Sequence, residues 1–304
     1  MKPNRESPQW KNYWVLYLDL AGVSLRVCDP DQRQELADVY SRFVDIAVLW
    51  APPLTRKFQR KGLSLEDVAL VRAGGVEVLG GRRDDYHTSM VKESLRIWSS
   101  RVRVFSDSVF VFFDCDVNRE TETADHENLV ETAGHMSSLL WQHGMPHKGS
   151  ISYGECYLNG PVCLGQPLVE AAKWERAQEW LGVSVSPASK IAASRAGFVA
   201  HGLVQHEVGR SGAAEPESTY CVDVARFVSG VRNSDHASSE TPSLPDVVEG
   251  LRRSALGANT ATLRRRYQST ASFWKESLVN EDSAKKAVET LDEIIRSCAV
   301  DETK

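Results

Sequence analysis

Two aspartates carry the most pointed chemistry in this sequence. Asp19 closes the apolar and aromatic run of residues 14–22 (WVLYLDLAG). Asp107 sits at the tip of residues 101–113 (RVRVFSDSVFVFF). Runs rich in Val, Phe and Tyr, broken by turn residues, predict strands, so the second stretch reads as a hairpin folded about Ser106, Asp107 and Ser108. Carboxylates at neighbouring strand ends suit hard divalent cations, which take oxygen ligands. A pair of such ions clamps the attacking and leaving oxygens of an in-line displacement at phosphorus. The backbone after Asp19, from Leu20 to Ser24, is placed to turn its N–H groups toward triphosphate oxygens, and Gly22 permits a close approach. Either aspartate alone more commonly ends a strand or caps a turn; it is the pair that points to metal.

Elements that would position these residues follow from the periodicity. A first strand is predicted over about 13–18, and a helix opens at Asp29, Pro30 and Asp31. Its apolar positions Leu36, Val39, Tyr40, Phe43 and Val44 recur at helical spacing until Pro52 and Pro53 stop it. A second helix is predicted over 85–98 and, after the hairpin, a third from about 123 to 143. Residues 148–158 read as a strand, with a turn at 159–161 and a return over 162–164. A helix then runs from Gly165 through Trp180. A short strand (183–185), a helix (187–196) and two strands (198–208 and 219–224) complete residues 1–228. The expected class is α+β, a sandwich with one mainly antiparallel sheet and helices on a face, containing a ferredoxin-like arrangement. Residues 229–245 are polar, Ser-rich and contain prolines, which reads as a linker. Beyond it, 246–278 and 281–298 read as two helices of a C-terminal extension, 246–304, the first of them dense in arginine.

Composition sets the outer bounds. The 304 residues carry a net charge of −5, with 42% hydrophobic and 25% charged side chains. There is no global basic field to recruit nucleic acid, and no apolar run of the roughly 18–20 residues that a membrane helix needs. The polar N-terminus does not read as a secretory signal. The six cysteines are scattered without CxxC spacing, which suggests reduced thiols in a cytoplasmic protein rather than a zinc site or disulfide frame.

On these stretches, residues 13–228 resemble the catalytic domain of the class III nucleotidyl cyclases. VLYLDLAGVS is similar to that family's first metal strand, so the resemblance gives Asp19 the first metal-binding role and has Leu20 offer its carbonyl. RVFSDSVFVFF is similar to the hairpin carrying the second metal aspartate, here Asp107, although the two aspartates are farther apart in sequence than is usual in the family. HKGSISYGECYLNGPVCLGQPLVEAAKWE is similar to the later segment, a basic-Gly strand and hairpin leading into a helix. The resemblance implies two divalent cations, Mn2+ or Mg2+. It implies attack of a nucleoside triphosphate's 3′-hydroxyl on its own α-phosphate with loss of pyrophosphate. It also implies a homodimer whose sites draw on both subunits.

Departures from the family pattern are specific. Arg103 stands where purine cyclases place a base-reading lysine, and Val162 where they place a polar base contact. Val169 replaces the ribose-binding asparagine. Lys173 replaces the transition-state arginine, with Arg176 one turn on as a possible substitute. An intact metal half beside a rewritten purine half resembles the pyrimidine cyclases of bacterial Pycsar anti-phage systems, whose cyclic product signals to a partner effector. That implies UTP, ahead of CTP, as substrate. A purine cyclase with a divergent pocket, or a catalytically inactive nucleotide-binding module, fits the same departures. Arg103 also fits the outward side of an alternating strand. Lys173 and Arg176 also fit a solvated helix face. Lys148, Glu170 and Glu175 are expected chiefly to face water.

Overall fold

The computed structural model describes residues 10–20, 34–39, 102–105, 107–115, 117–118, 123–124, 129–159, 162–232 and 242–299. Of the helix expected from Asp29 it describes residues 34–39, which are helical. The segment 54–84 and the helix expected over 85–98 lie outside the described residues.

Strand β1 (Trp10–Leu20) is the spine of the fold. Its residues from Trp14 to Leu18 are buried in unbroken sequence, as expected of a central strand covered on both faces. On one side it pairs antiparallel with β3 (Ser108–Asp114), which pairs with β2 (Val102–Phe105). On the other it pairs antiparallel with the long β6 (His147–Asn159). The chain between contains a two-stranded ribbon, β4 (Val117–Asn118) and β5 (Thr123–Ala124), and helix α1 (Leu129–Gln142). Strand β7 (Val162–Gly165) folds back on β6. Strands β8 (Gly182–Val185), β9 (Leu203–Val208) and β10 (Glu217–Val222) continue the sheet in the order β2-β3-β1-β6-β8-β10-β9. Among the described strands, only β6 and β8 pair in parallel. The architecture is α+β with a mixed, mostly antiparallel sheet.

Alternation along β1 separates two faces. Trp14, Leu16, Leu18 and Leu20 enter the large core with Val111, Ile151, Val183, Val185 and the apolar side of α1. Val15 lies on the other face with Phe112 and Cys156, on the side that also carries Tyr17 and Asp19. Helix α2 (Gln166–Ala177) packs against β6 and β1. Gly149 opposes Leu18 in the β1–β6 register; a Cβ there would lie 2.6 Å from Leu18 Cδ2 and 2.8 Å from the Tyr17 carbonyl. Only glycine lets the strands approach this closely.

The second half of the chain departs from the sequence expectation in three places. After helix α3 (Lys190–Arg195), Phe198–His201 is a short 3-10 turn rather than the start of a strand; Gly197 and Gly202 flank it in the left-handed region, and β9 begins only at Leu203. Helix α4 (Val224–Arg232) occupies what was expected to be a strand end and the first residues of a linker. The predicted helix over 246–278 is two helices. Helix α5 (Leu244–Leu256) starts at a reciprocal Ser243–Asp246 capping box and stops at Gly257. Helix α6 (Ala261–Leu278) restarts under a Thr260 N-cap. Helix α7 (Lys285–Cys298) closes the described chain. These helices share one hydrophobic core with the sheet: Val247, Leu251, Tyr267, Trp274, Leu291 and Ile294 are buried in the same cluster as Leu16 and Ile151. No described helix is long and apolar enough to cross a membrane.

Candidate functional site

Asp19 lies one residue from the end of β1, and Asp107 lies in the turn between β2 and β3. Antiparallel pairing sets Asp19 opposite Ser108, and the Leu20 N–H donates to the Asp107 carbonyl at 2.9 Å. The two aspartates predicted from sequence are therefore brought together at one end of the strands, both half-buried.

The side chains around Asp19 form a polar chain. Ser108 donates its hydroxyl to Asp19 Oδ1 at 3.1 Å, and the Tyr17 hydroxyl lies 3.1 Å from the same Ser108 oxygen. Serine has a single hydroxyl proton, so with that proton on Asp19 it is Tyr17 that donates to Ser108. Tyr17 keeps its proton readily. Burial raises its pKa and the Asp19 and Glu175 carboxylates add to the rise, against the Ser108 hydrogen bond and the Arg176 charge.

Lys148 is the neighbour of Asp19 on the other side, directly opposite it in the β1–β6 register. It is not solvated as expected. Its Nζ pairs with Glu175 Oε1 at 2.8 Å and donates to the Glu175 carbonyl at 2.6 Å. Glu175, expected to face water, is 4% exposed. Asp19 feels this crowding. Its pKa is raised first by burial, then by the Glu175 carboxylate and further by Asp107, while Ser108 and Lys148 pull it down.

The end of α2 is fixed over the sheet by buried hydrogen bonds. Trp174 Nε1 donates to Ser184 Oγ at 2.8 Å, Ser184 donates to Gln178 Oε1 at 2.7 Å, and Gln178 Nε2 donates to the Gly149 carbonyl at 2.9 Å. Trp180 Nε1 reaches the same Gln178 oxygen at 3.2 Å. This network holds Glu175 and Arg176 at the Asp19 end of the sheet.

The donor set at the strand ends is all oxygen: the Asp19 and Asp107 carboxylates and the Leu20 carbonyl. Such donors, with more negative than positive charge around Asp19, fit a hard divalent cation. Among the described residues no group of three or more His, Cys, Asp and Glu forms a metal-holding cluster, so the fit rests on the two carboxylates and the carbonyl.

The other sequence-predicted residues fall in two places. Arg103, on β2, is half-buried; its Nη1 donates to the Val102 carbonyl at 2.9 Å, and its charge lowers the pKa of the Cys163 thiol, which burial raises overall. That brings Arg103 close to β7, where Val162 is exposed beside Cys163. Val169, Lys173 and Arg176 lie on the exposed side of α2. Arg176 acts on Tyr17; Lys173 makes no ion pair or hydrogen bond with the Asp19 group. Gly22 lies outside the described residues. Tyr17, Ser108, Lys148 and Glu175 were not assigned roles at the site from the sequence. Tyr17 had a signal, since it stands two residues before Asp19 in a strand and so on the same face.

A search of protein-family models finds no match to this chain, and a search of curated proteins finds none either.

Proposed function

We propose that this chain is a metal-dependent nucleotidyl cyclase with a class III cyclase fold. In this reading it works as a homodimer and converts a pyrimidine nucleoside triphosphate, UTP ahead of CTP, to the 3′,5′-cyclic monophosphate and pyrophosphate. The product would be a second messenger in bacterial anti-phage defence, read by a separate effector. The observation that carries the reading is the juxtaposition of the Asp19 and Asp107 carboxylates at adjacent strand ends.

Asp19 and Asp107, with the Leu20 carbonyl, would hold the divalent cations. When bound, those cations supply acidity at the 3′-hydroxyl and neutralise charge on the triphosphate. Ser108 keeps the Asp19 carboxylate in one orientation, and Tyr17 supports Ser108. Arg176 and Lys173 supply positive charge for the phosphoryl group in flight, although Lys173 lacks the planar fork of arginine. Arg103 offers guanidinium donors to the carbonyls of a pyrimidine, beside the apolar Val162. Exposed apolar side chains at Phe105, Val162, Leu164 and Val169 supply surface that a second copy would cover.

A second reading has one observation in its favour. Val169, at the position of the family's ribose asparagine, is 53% exposed and has no polar atom to offer a sugar. That suits a domain that binds nucleotide without turning it over.

Incubating the purified protein with each of the four NTPs and Mn2+, with products identified by mass spectrometry, separates these readings. Cyclic UMP or cyclic CMP supports the proposal. A cyclic purine product retains the cyclase reading and rejects the base assignment. Nucleotide binding without any product supports the binding module.

A further inference from the structure

Lys148 is built into the wrong place for a metal site unless something restrains it. It faces Asp19 across adjacent antiparallel strands, where side chains of opposite charge are close enough to pair. An ammonium resting on Asp19 would compete directly with a divalent cation for the same carboxylate. The ammonium pairs instead with Glu175, through both the carboxylate at 2.8 Å and the backbone carbonyl at 2.6 Å. That carbonyl belongs to the last turn of α2, whose final carbonyls lack helical partners and favour a cation. Both groups are largely withdrawn from water, with side-chain exposures of 12% for Lys148 and 5% for Glu175, so screening does little to loosen the pair.

We propose that Glu175 is a positioning residue that holds the Lys148 ammonium off Asp19 and so keeps the Asp19 carboxylate open to a divalent cation. The inference rests on the reading of Asp19 and Asp107 as cation ligands. It goes beyond that reading by making the buried helix α2 glutamate a determinant of cation affinity. Its action is indirect, because it restrains a competitor, and this separates it from a glutamate that attracts the cation by its own charge.

The test is a double-mutant cycle read by Mn2+ binding, followed by electron paramagnetic resonance, in the full chain. Circular dichroism melts establish that each variant is folded. Glu175→Gln is expected to weaken Mn2+ binding on the order of tenfold, a typical coupling for groups in contact. Lys148→Met is expected to bind Mn2+ at least as tightly as the wild type. The double variant Lys148→Met/Glu175→Gln is expected to match Lys148→Met. This last comparison keeps the proposal open to refutation even where Glu175→Gln alone, left with an unpaired buried lysine, does not fold. A double variant that binds Mn2+ markedly more weakly than Lys148→Met would overturn the proposal, since Glu175 would then act by its own charge. Wild-type protein without Mn2+ binding that depends on Asp19 would overturn the metal reading itself, and this inference with it.

Discussion

Ser108 and Asp19 face each other across the β1–β3 pair, and the serine hydroxyl donates to the aspartate carboxylate at 3.1 Å. This hydrogen bond orients a candidate metal ligand from behind, and Tyr17 orients the serine in turn. Outer partners of this kind typically change metal affinity by about 10–100-fold when removed. Ser108→Ala is therefore expected to weaken Mn2+ binding by roughly tenfold, and Tyr17→Phe by less. Mn2+ titration of the three proteins checks this; equal affinity in all three would remove Ser108 from the site.

In the proposed head-to-tail homodimer, the proposed metal ligands and base-reading residues of one site would lie on different subunits. Asp19→Asn and Arg103→Ala proteins, each inactive alone, should then complement one another when mixed and allowed to exchange subunits. Random pairing leaves one intact site in half of the dimers, so recovery of about a quarter of wild-type cyclase activity is expected. No recovery, with subunit exchange verified by mass spectrometry, would argue that each site is complete within one chain.

The C-terminal helices are tied to the sheet by contacts that tolerate little change. A Cβ on Gly250 would lie 1.5 Å from the Trp141 carbonyl oxygen, so α5 could not keep its seat on the end of α1. Thr270 Oγ1 accepts from the Leu181 N–H at 3.0 Å and donates to the Leu181 carbonyl at 2.9 Å, joining α6 to the entry of β8. Gly250→Ala is expected to cost about 3 kcal/mol or more, and Thr270→Val about 1–3 kcal/mol through its orphaned backbone partners. Urea denaturation curves give both values. A change in tail mobility with no shift in the unfolding of the sheet would show that the helices are not part of its core.

Burial of His135 gives the stability a pH dependence. His135 is buried in α1 with its ring edge-to-face on Phe227, and burial pushes its pKa from 6.5 down to about 3. Between those values the unfolded chain binds a proton that the native chain refuses. This contribution therefore destabilises the native state as pH falls below 6.5, and has no effect above it. Relative to a His135→Leu variant, the wild type should lose about 2 kcal/mol between pH 7.5 and pH 5. Parallel pH profiles for the two proteins would contradict the assignment.

Legibility in the sequence followed the range of the interactions. Asp19 and Asp107 were readable because the apolar strands and the turn that carry them are local features, and the β1–β3 register then brings them together. The Lys148–Glu175 pair was not, because it depends on how α2 lies over β6, which the Gln178, Trp174 and Ser184 hydrogen bonds decide. Residues 246–278 read as one arginine-dense helix, although Gly257 and Thr260 carried the stop and start signals that divide α5 from α6. At residues 198–201, Gly197 and Gly202 marked the turn that apolar content alone made look like a strand.

That Asp19 serves cyclisation of a nucleoside triphosphate is the proposal on which the rest depends. It is tested most directly by quantifying cyclic UMP and pyrophosphate formed from UTP and Mn2+ by the wild-type protein and by Asp19→Asn. Equimolar cyclic UMP and pyrophosphate are expected from the wild type and neither from Asp19→Asn. Equal turnover by both proteins, or no cyclic nucleotide from the wild type with any of the four NTPs, would contradict it.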